Sequence, residues 1–268
     1  MKQPTSIILS STYHDPQFRL KSLLVTALPT IKELFSQVII FLTPLTNSTA
    51  SAFLTNEGFQ VIISESMKQV EIYKKSIKIA IDYVENPQIQ RIFYIDFDRL
   101  IHWINSYPDE LKNIVENNSD VHYLHIARTS RAFETHPSTQ KETEKIINAL
   151  SSKTLGFKET IDVISVCFLF TKELGERILE FNNPTKTGFY GIWPIIFWKF
   201  ATKNRYIEVE GLEWETPDRF QPEISKVGYD EWLKKFQSPE EWKKRVQFIQ
   251  DTIEELSLLV DFQFNLRE

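Results

Sequence analysis

The feature that most constrains the fold is a short apolar run that ends in two carboxylates. Residues 91–99 read RIFYIDFDR. An unbroken apolar run of this kind is typical of a strand that is buried on both faces of a parallel sheet. Asp96 and Asp98 are then expected where the strand leaves the sheet, at its carboxyl end. Because open α/β sheets bind their ligands at that edge, the sequence predicts a ligand site around Asp96 and Asp98.

The spacing of the two aspartates indicates a cation. Residues i and i+2 of an extended chain point the same way, so the carboxylates of Asp96 and Asp98 repel each other unless a cation lies between them. A hard divalent ion that also binds phosphate oxygens, Mg²⁺ or Mn²⁺, meets this need. The alternative is that both aspartates only begin a loop and cap the following helix. The apolar run before them favours the metal site.

Strands and helices alternate along the first part of the chain. We predict strands at 6–12, 38–42, 59–63 and 91–95, separated by helices at 18–35, 48–57 and 70–84. Further on we predict strands at 121–127, 161–170 and 206–209, and helices at 138–150, 172–181 and 191–200. The first half has the β-α-β-α-β-α-β order of a parallel sheet with helices on both faces, which predicts the α/β class.

The C-terminal part has a different pattern. Residues 238–241 read SPEE, a strong helix start. A narrow apolar seam follows at spacings of three and four residues, formed by Trp242, Val246, Ile249, Ile253, Leu256 and Val260. This seam is long enough to pack on the main domain or on a second copy of the chain, which makes a homodimer through the C-terminal helix one of the two expected arrangements.

Composition excludes several classes of protein. The net charge is −5 and no run of Lys or Arg stands out, so we expect no nucleic-acid partner. Neither a G-x-G-x-x-G dinucleotide motif nor a P-loop occurs. No signal peptide or transmembrane segment is visible, which leads us to expect a cytoplasmic protein. The single Cys167 lies in an apolar run, so we expect a buried thiol rather than a nucleophile.

Other polar residues near strand ends are candidates for binding the same ligand. Arg128, Arg131 and His136 lie in a polar stretch after a predicted strand and before a helix, and both guanidinium groups and a helix N-terminus suit phosphate. Thr12 ends the predicted first strand and Asp15 follows it, and the turn after this strand faces the ligand in nucleotide-binding α/β proteins. The alternatives are an exposed loop with surface arginines and, for Asp15, an ordinary helix-entry turn.

A second acidic cluster follows the last predicted strand. It consists of Glu213, Glu215 and Asp218, with Trp214 between them. Carboxylates in this position suit a general base that acts on an acceptor hydroxyl, or hydrogen bonding to a sugar. The alternative is a solvated turn that a buried tryptophan anchors.

An N-terminal half of this order, whose fourth strand ends in Asp-x-Asp, resembles the GT-A class of nucleotide-sugar glycosyltransferases. The resemblance covers residues 6–220 by pattern, and its specific part is FYIDFD at 93–98. It implies a GT-A-like, Rossmann-like, mostly parallel sheet flanked by helices. It also implies a nucleotide-sugar-binding and catalytic domain over residues 1–222, followed by a C-terminal helical extension over residues 223–268.

The resemblance also implies the chemistry. A sugar would pass from a nucleoside-diphosphate sugar to an acceptor that the sequence does not identify. Asp96 would lie nearer the ribose, and Asp98 would bind the Mn²⁺ or Mg²⁺ that bridges the two phosphates. The remaining candidates for donor binding are Thr12, Asp15, Arg128 and Arg131, and the candidate catalytic carboxylates are Glu213, Glu215 and Asp218.

One departure from the pattern and three rival functions remain. Arg99 directly follows Asp98, so it either positions the phosphates or signals that the metal is lost. A catalytically degenerate glycosyltransferase-like domain would serve as a binding or scaffold protein, with the C-terminal seam as its partner surface. An aspartate-nucleophile phosphohydrolase fits less well, because its motif comes early in the chain and is not followed by Leu100. A nucleotidyltransferase would need a glycine-rich loop after the first strand.

Overall fold

The sheet decides where each candidate residue lies. The computed structural model describes residues 6–88, 90–118, 120–181 and 185–264. The strands are β1 Ile7–Tyr13, β2 Gln37–Leu42, β3 Gln60–Ile63, β4 Arg91–Ile95, β5 Tyr123–Arg128, β6 Cys167–Phe170 and β7 Asn204–Val209. The helices are α1 Lys21–Leu34, α2 Ser48–Asn56, α3 Gln69–Asp82, α4 Phe97–Ser106, α5 Pro108–Asn117, α6 Ser130–Glu134, α7 Ser138–Thr154, α8 Lys172–Glu180, α9 Ile192–Phe200, α10 Gln221–Val227, α11 Tyr229–Leu233 and α12 Pro239–Phe264.

The seven strands form one sheet in the order β3-β2-β1-β4-β6-β5-β7. All neighbouring pairs are parallel except those of β6, which runs antiparallel to both β4 and β5. The predicted α/β class with a mostly parallel sheet is confirmed. The order of elements along the chain had left the spatial order of the strands open.

Two hydrophobic cores cover the two faces of the sheet, and β4 contributes to both. Phe93 and Ile95 belong to the core under α1, α2, α4 and α5, whereas Ile92 and Tyr94 belong to the core under α3, α8 and α9. All five residues of β4 are buried, as predicted for a strand with helices on both sides. This burial leaves the residues just beyond Ile95 as the first polar groups at the sheet edge.

The predicted strand at 161–170 is wrong in its first half, since only Cys167–Phe170 is a strand. The amides of Val163 and Ile164 donate to the side chain of Asn148 in α7, at 2.8 and 3.2 Å, instead of to a neighbouring strand. Val166 then adopts φ 56°, a conformation that is strained for a β-branched residue. The segment before β6 is therefore shaped by side-chain hydrogen bonds that hydrophobic periodicity does not reveal. Cys167 is buried, as expected.

The C-terminal helix α12 lies against α7 and α9. Leu256 joins the core beside α9, whereas Trp242, Val246 and Ile253 are exposed. The predicted seam therefore does not act as one buried stripe; the side chain of Val260 lies outside the described ones. Within the described residues, no helix combines the length and the apolar character needed to cross a membrane.

Candidate active site

A cavity of about 330 Å³ opens at the carboxyl ends of β1 and β4. These strands are neighbours, and the strand order reverses between them: β2 and β3 follow β1 on one side, and β4 lies on the other. Such a switch point is where open α/β sheets bind ligands. The polar side chains that line the cavity are those of Thr12, His14, Thr43, Gln69, Tyr73, Asp96, Asp98 and Arg219. The cavity thus contains both aspartates that the sequence singled out.

Asp96 leaves β4 and points across to β1. Its Oδ1 accepts hydrogen bonds from Thr12 Oγ1 at 2.8 Å and from the Tyr94 hydroxyl at 3.3 Å. Burial raises the pKa of Asp96 to about 6, and the negative charge of Asp98 adds to this shift. The side chain of Asp96 makes no capping hydrogen bond with α4. Helix capping, the alternative role for this residue, therefore does not explain its orientation.

Asp98 pairs with an arginine that the sequence had not singled out. Its Oδ2 accepts from Arg219 Nη2 at 2.5 Å, and the two side chains are only 15% and 18% exposed. Burial by itself lowers the pKa of Arg219, but the negative charges of Asp98, Glu215 and Asp15 together outweigh burial and raise that pKa. The Nε of Arg219 is buried and has no hydrogen-bond partner among the described residues. Arg219 also lines the cavity, so its guanidinium group brings a positive charge to the cavity wall.

The two aspartates suit a divalent cation that protein and substrate hold together. Mg²⁺ is usually bound through one or two carboxylates plus the phosphate oxygens of the substrate. Among the described residues, nothing donates a hydrogen bond to Asp96 Oδ2, and only the amide of Arg99 donates to Asp98 Oδ1, at 3.1 Å. No group of three or more His, Cys, Asp and Glu that could hold a metal occurs in the described part of the chain. A diphosphate would therefore have to complete the coordination.

Arg99 does not lie beside the proposed metal position. Its Nη1 donates to the carbonyl of Ser165 at 2.6 Å, and its Nε lies 3.5 Å from Glu215 Oε2. Arg99 lines a second cavity instead, of about 280 Å³, which Asp96 also lines. The guanidinium group that contacts Asp98 is therefore that of Arg219, and the side chain of Arg99 is directed to the other side of Asp96.

The three predicted catalytic carboxylates have different surroundings. Glu215 lines the second cavity, and its Oε2 is buried with no hydrogen-bond partner in the described part of the chain. Glu213 and Asp218 instead hold His102 between them, with Asp218 Oδ2 2.8 Å from Nδ1 and Glu213 Oε1 3.2 Å from Nε2. Burial lowers the pKa of His102, but the hydrogen bonds and charges of Asp218 and Glu213 outweigh it and raise that pKa. Glu213 and Asp218 line neither cavity at Asp96.

The two arginines predicted to bind phosphate also lie outside both cavities. Arg128 is 1% exposed and pairs with Asp162 and Glu144, each at 2.7 Å. Burial raises the pKa of Asp162, but the charge of Arg128 and the hydrogen bonds from Arg128 and Asn148 together outweigh burial and hold that pKa well below its ordinary value. Arg131 pairs at the surface with Glu210 and with Glu213. Both guanidinium groups already have carboxylate partners, so the two arginines stabilise local structure in place of the predicted phosphate binding.

Asp15 holds the turn that leads into α1. Its carboxylate accepts from the Tyr13 hydroxyl at 2.9 Å and from the amides of Arg19 and Leu20 at 3.0 Å each. These donors occupy both carboxylate oxygens, and Asp15 does not line the cavity at Asp96. Of Thr12 and Asp15, only Thr12, which lies near the end of β1, reaches the cavity.

Arg219 is the main site residue that sequence reasoning missed. It lies directly after Asp218 in the acidic stretch that follows the last strand. The signal in the sequence that could have identified Arg219 was one basic residue next to an acidic stretch. The sequence could not reveal that the stretch returns to the end of β4, 121 positions earlier in the chain.

No protein-family model matches the chain, and a search of curated protein sequences gives no match. A search of solved structures finds glucosyl-3-phosphoglycerate synthase from Mycobacterium tuberculosis. Its complex with UDP is 14% identical over 63% of this chain and 58% of that chain, with a TM-score of 0.43. Its complex with Mn²⁺, UDP-glucose and phosphoglyceric acid is 12% identical over 63% and 57%, with a TM-score of 0.40.

This chain spans less than two thirds of the length of those structures. They belong to nucleotide-sugar glycosyltransferases of the GT-A class, the class that the sequence pattern resembles. At this identity and TM-score, the likeness transfers neither substrate nor activity to this chain.

Proposed function

We propose that this protein transfers a sugar from a nucleoside-diphosphate sugar to an acceptor hydroxyl. The observation that carries the proposal is the combination of Asp96, Asp98 and Arg219 in one cavity at the β1–β4 switch point. The two carboxylates suit a divalent cation. Such a cation and the guanidinium group of Arg219, whose Nε has no hydrogen-bond partner among the described residues, would together balance the negative charge of a diphosphate.

The donor would lie across the ends of β1, β2 and β4. Asp96 and Asp98 would hold Mn²⁺ or Mg²⁺, which neutralises the charge that develops on the leaving diphosphate. Arg219 would donate to the phosphate oxygens through its guanidinium group, whose Nη2 becomes available if the pair with Asp98 opens. Thr12 and Thr43 offer hydroxyl groups at the strand ends for the sugar or nucleoside.

Transfer breaks the bond between the sugar C1 and the diphosphate oxygen, and forms a bond between C1 and the acceptor oxygen. The diphosphate leaves with the electron pair, and the acceptor hydroxyl loses its proton. We assign the acceptance of this proton to Glu215, because its carboxylate lines the cavity that shares Asp96 with the donor cavity. Its Oε2 accepts no hydrogen bond from the described residues and lies 3.5 Å from Arg99 Nε.

Titration calorimetry with UDP and GDP, each with and without Mn²⁺, tests the donor site. We expect one nucleotide to bind more tightly with Mn²⁺, and Asp98→Asn to remove most of this dependence. A charge-assisted contact is worth about 1.5–3 kcal/mol, so we expect Arg219→Gln to weaken binding by roughly 10- to 100-fold. Asp109→Asn, an exposed carboxylate in α5, serves as the control and should bind like the wild type.

Two results would contradict the proposal. One is the failure of both nucleotides to bind under every condition. The other is binding that Asp98→Asn and Arg219→Gln leave unchanged.

A catalytically degenerate domain is the competing function, and the ion pair between Asp98 and Arg219 favours it, because this pair neutralises the proposed metal ligand. Metal-dependent hydrolysis of UDP-glucose and GDP-mannose separates the two functions. An enzyme should release the nucleoside diphosphate slowly even without its acceptor, whereas a degenerate domain should release none.

A further inference from the structure

We propose that the second cavity is the acceptor subsite and that it takes a small hydroxylated anion, an alcohol that carries a phosphate or carboxylate group. The inference rests on the proposed function, which puts the donor in the first cavity. The two cavities share Asp96, so a molecule in the second one lies next to the donor. A volume of about 280 Å³ lies just below the usual range for ligand pockets and limits the bound part to a small molecule.

Arg245 of α12 is the cation in this cavity with the weakest contacts. Its Nη2 lies 3.2 Å from the neutral Gln140 Oε1. Its Nη1 lies 3.8 Å from Glu144, a carboxylate that already pairs with Arg128 at 2.7 Å. The side chain is 30% exposed and lines the cavity. Arg245 therefore keeps donor capacity for an anion that enters from solvent.

Two further groups face the same space. Arg99 is 7% exposed and lines the cavity, and no described residue accepts a hydrogen bond from its Nη2. The helix α7 begins at the cavity wall with Ser138 and Thr139, whose amides have no partner on their own helix. Two guanidinium groups and a helix N-terminus suit a bound anion, and the carboxylates of Asp96, Glu215 and Glu241 line the same cavity.

The carboxylates of the cavity require that the ligand also has a hydroxyl group. The buried Glu215 Oε2 lacks a hydrogen-bond donor among the described residues, and an O–H of the ligand would supply one. The carboxylate of Glu241 already pairs with Lys244, so it opposes an anion less than its formal charge suggests. A hydroxylated anion satisfies Glu215 through its hydroxyl group and Arg245 through its charge.

The test titrates two probes into the full chain saturated with UDP, which occupies the first cavity. The probes are inorganic phosphate and glycolate, which distinguish a phosphate-bearing from a carboxylate-bearing acceptor. We expect Arg245→Gln to weaken the binding of one of them by about tenfold or more. Lys243→Gln removes an exposed charge from the same turn of α12 and should leave binding unchanged. Arg245→Lys, which keeps the charge, should retain an intermediate affinity.

The affinity for UDP, measured separately, reports on the proposed function alone and should be the same in all three variants. The acceptor inference is overturned if UDP binds but neither probe does at millimolar concentration, or if Arg245→Gln binds both probes as tightly as the wild type. Circular dichroism of each variant shows that a loss of binding is not a loss of folding.

Discussion

At the scale of single residues, the ion pairs in this protein differ mainly in how far their side chains are exposed to solvent. The pair of Arg128 with Asp162 is almost fully buried, whereas that of Arg131 with Glu213 is half open to solvent. A buried carboxylate that loses its partner keeps its full desolvation cost, while an exposed one is rehydrated. The two arginines, which look alike in the sequence, therefore make very different contributions to stability.

We expect Arg128→Gln to lower the free energy of unfolding by about 3–5 kcal/mol, because Asp162 would be left buried without its cation and Glu144 would keep only Arg245, at 3.8 Å. The matched control Arg131→Gln should cost less than about 1 kcal/mol. Urea denaturation measures both. A larger loss in Arg131→Gln than in Arg128→Gln would contradict the structural role of Arg128.

His102 makes stability depend on pH. Its pKa is raised in the folded protein by Asp218 and Glu213, so the stabilisation is fully present below about 6.5, the pKa of an unfolded histidine. It is lost as the pH rises through the raised value. The destabilisation caused by His102→Gln should therefore be larger at about pH 6 than at about pH 9. Denaturant titrations at both pH values check this, and an equal or opposite difference would refute it.

At the scale of elements, one carboxylate fixes the C-terminal helix to the segment before α9. Glu255 is 2% exposed and accepts from the amides of Lys186, Thr187, Gly188 and Ile192, and from the Thr187 hydroxyl, at 2.7–3.1 Å. Five hydrogen-bond donors therefore contact the single carboxylate of Glu255. Glu255, rather than the apolar seam alone, sets the position of α12 and with it that of Arg245.

We expect Glu255→Gln to destabilise the fold by about 3 kcal/mol, since an amide offers only one acceptor oxygen to five donors and leaves some of them unsatisfied. Glu254→Gln is the control on the same helix; this carboxylate pairs with Lys186 at the surface and should contribute less than about 1 kcal/mol. Thermal unfolding of both variants provides the comparison. Equal melting temperatures would show that the Glu255 contacts carry no net stability.

At the scale of the whole molecule, the extension predicted over residues 223–268 is in close contact with the rest of the chain. Leu256 joins the core that contains Ile192 and Trp193, and Arg245 lines a cavity with Asp96. We therefore expect a chain truncated after residue 237 to lose the cooperative unfolding that the full chain shows. Calorimetric melting of the two chains tests this. A cooperative transition at the wild-type temperature in the shorter chain would instead favour an independent N-terminal domain.

The homodimer stays a prediction that the exposed side of α12 motivates. Trp242, Val246 and Ile253 are 36%, 48% and 42% exposed and lie at helical spacing. If they form the interface, Val246→Glu should shift the chain from dimer to monomer in sedimentation velocity, and Gln247→Glu should not. A wild-type protein that sediments as a monomer at micromolar concentration would rule the homodimer out.

The sequence by itself determined the features that depend on local patterns of residues, namely the buried strand and the class of sheet. The apolar run before Asp96 specified a strand buried on both faces, and alternation of strands and helices specified a mostly parallel sheet, because hydrophobic periodicity is a local property of the chain. Tertiary structure alone decided which polar groups meet. Arg219 reaches Asp98 across 121 positions, whereas Arg128 is engaged by Asp162 and Glu144 before any ligand arrives. A charged side chain can pair with many different groups, so its local sequence does not specify which partner it contacts. The packing of the sheet and helices decides which partner lies within reach.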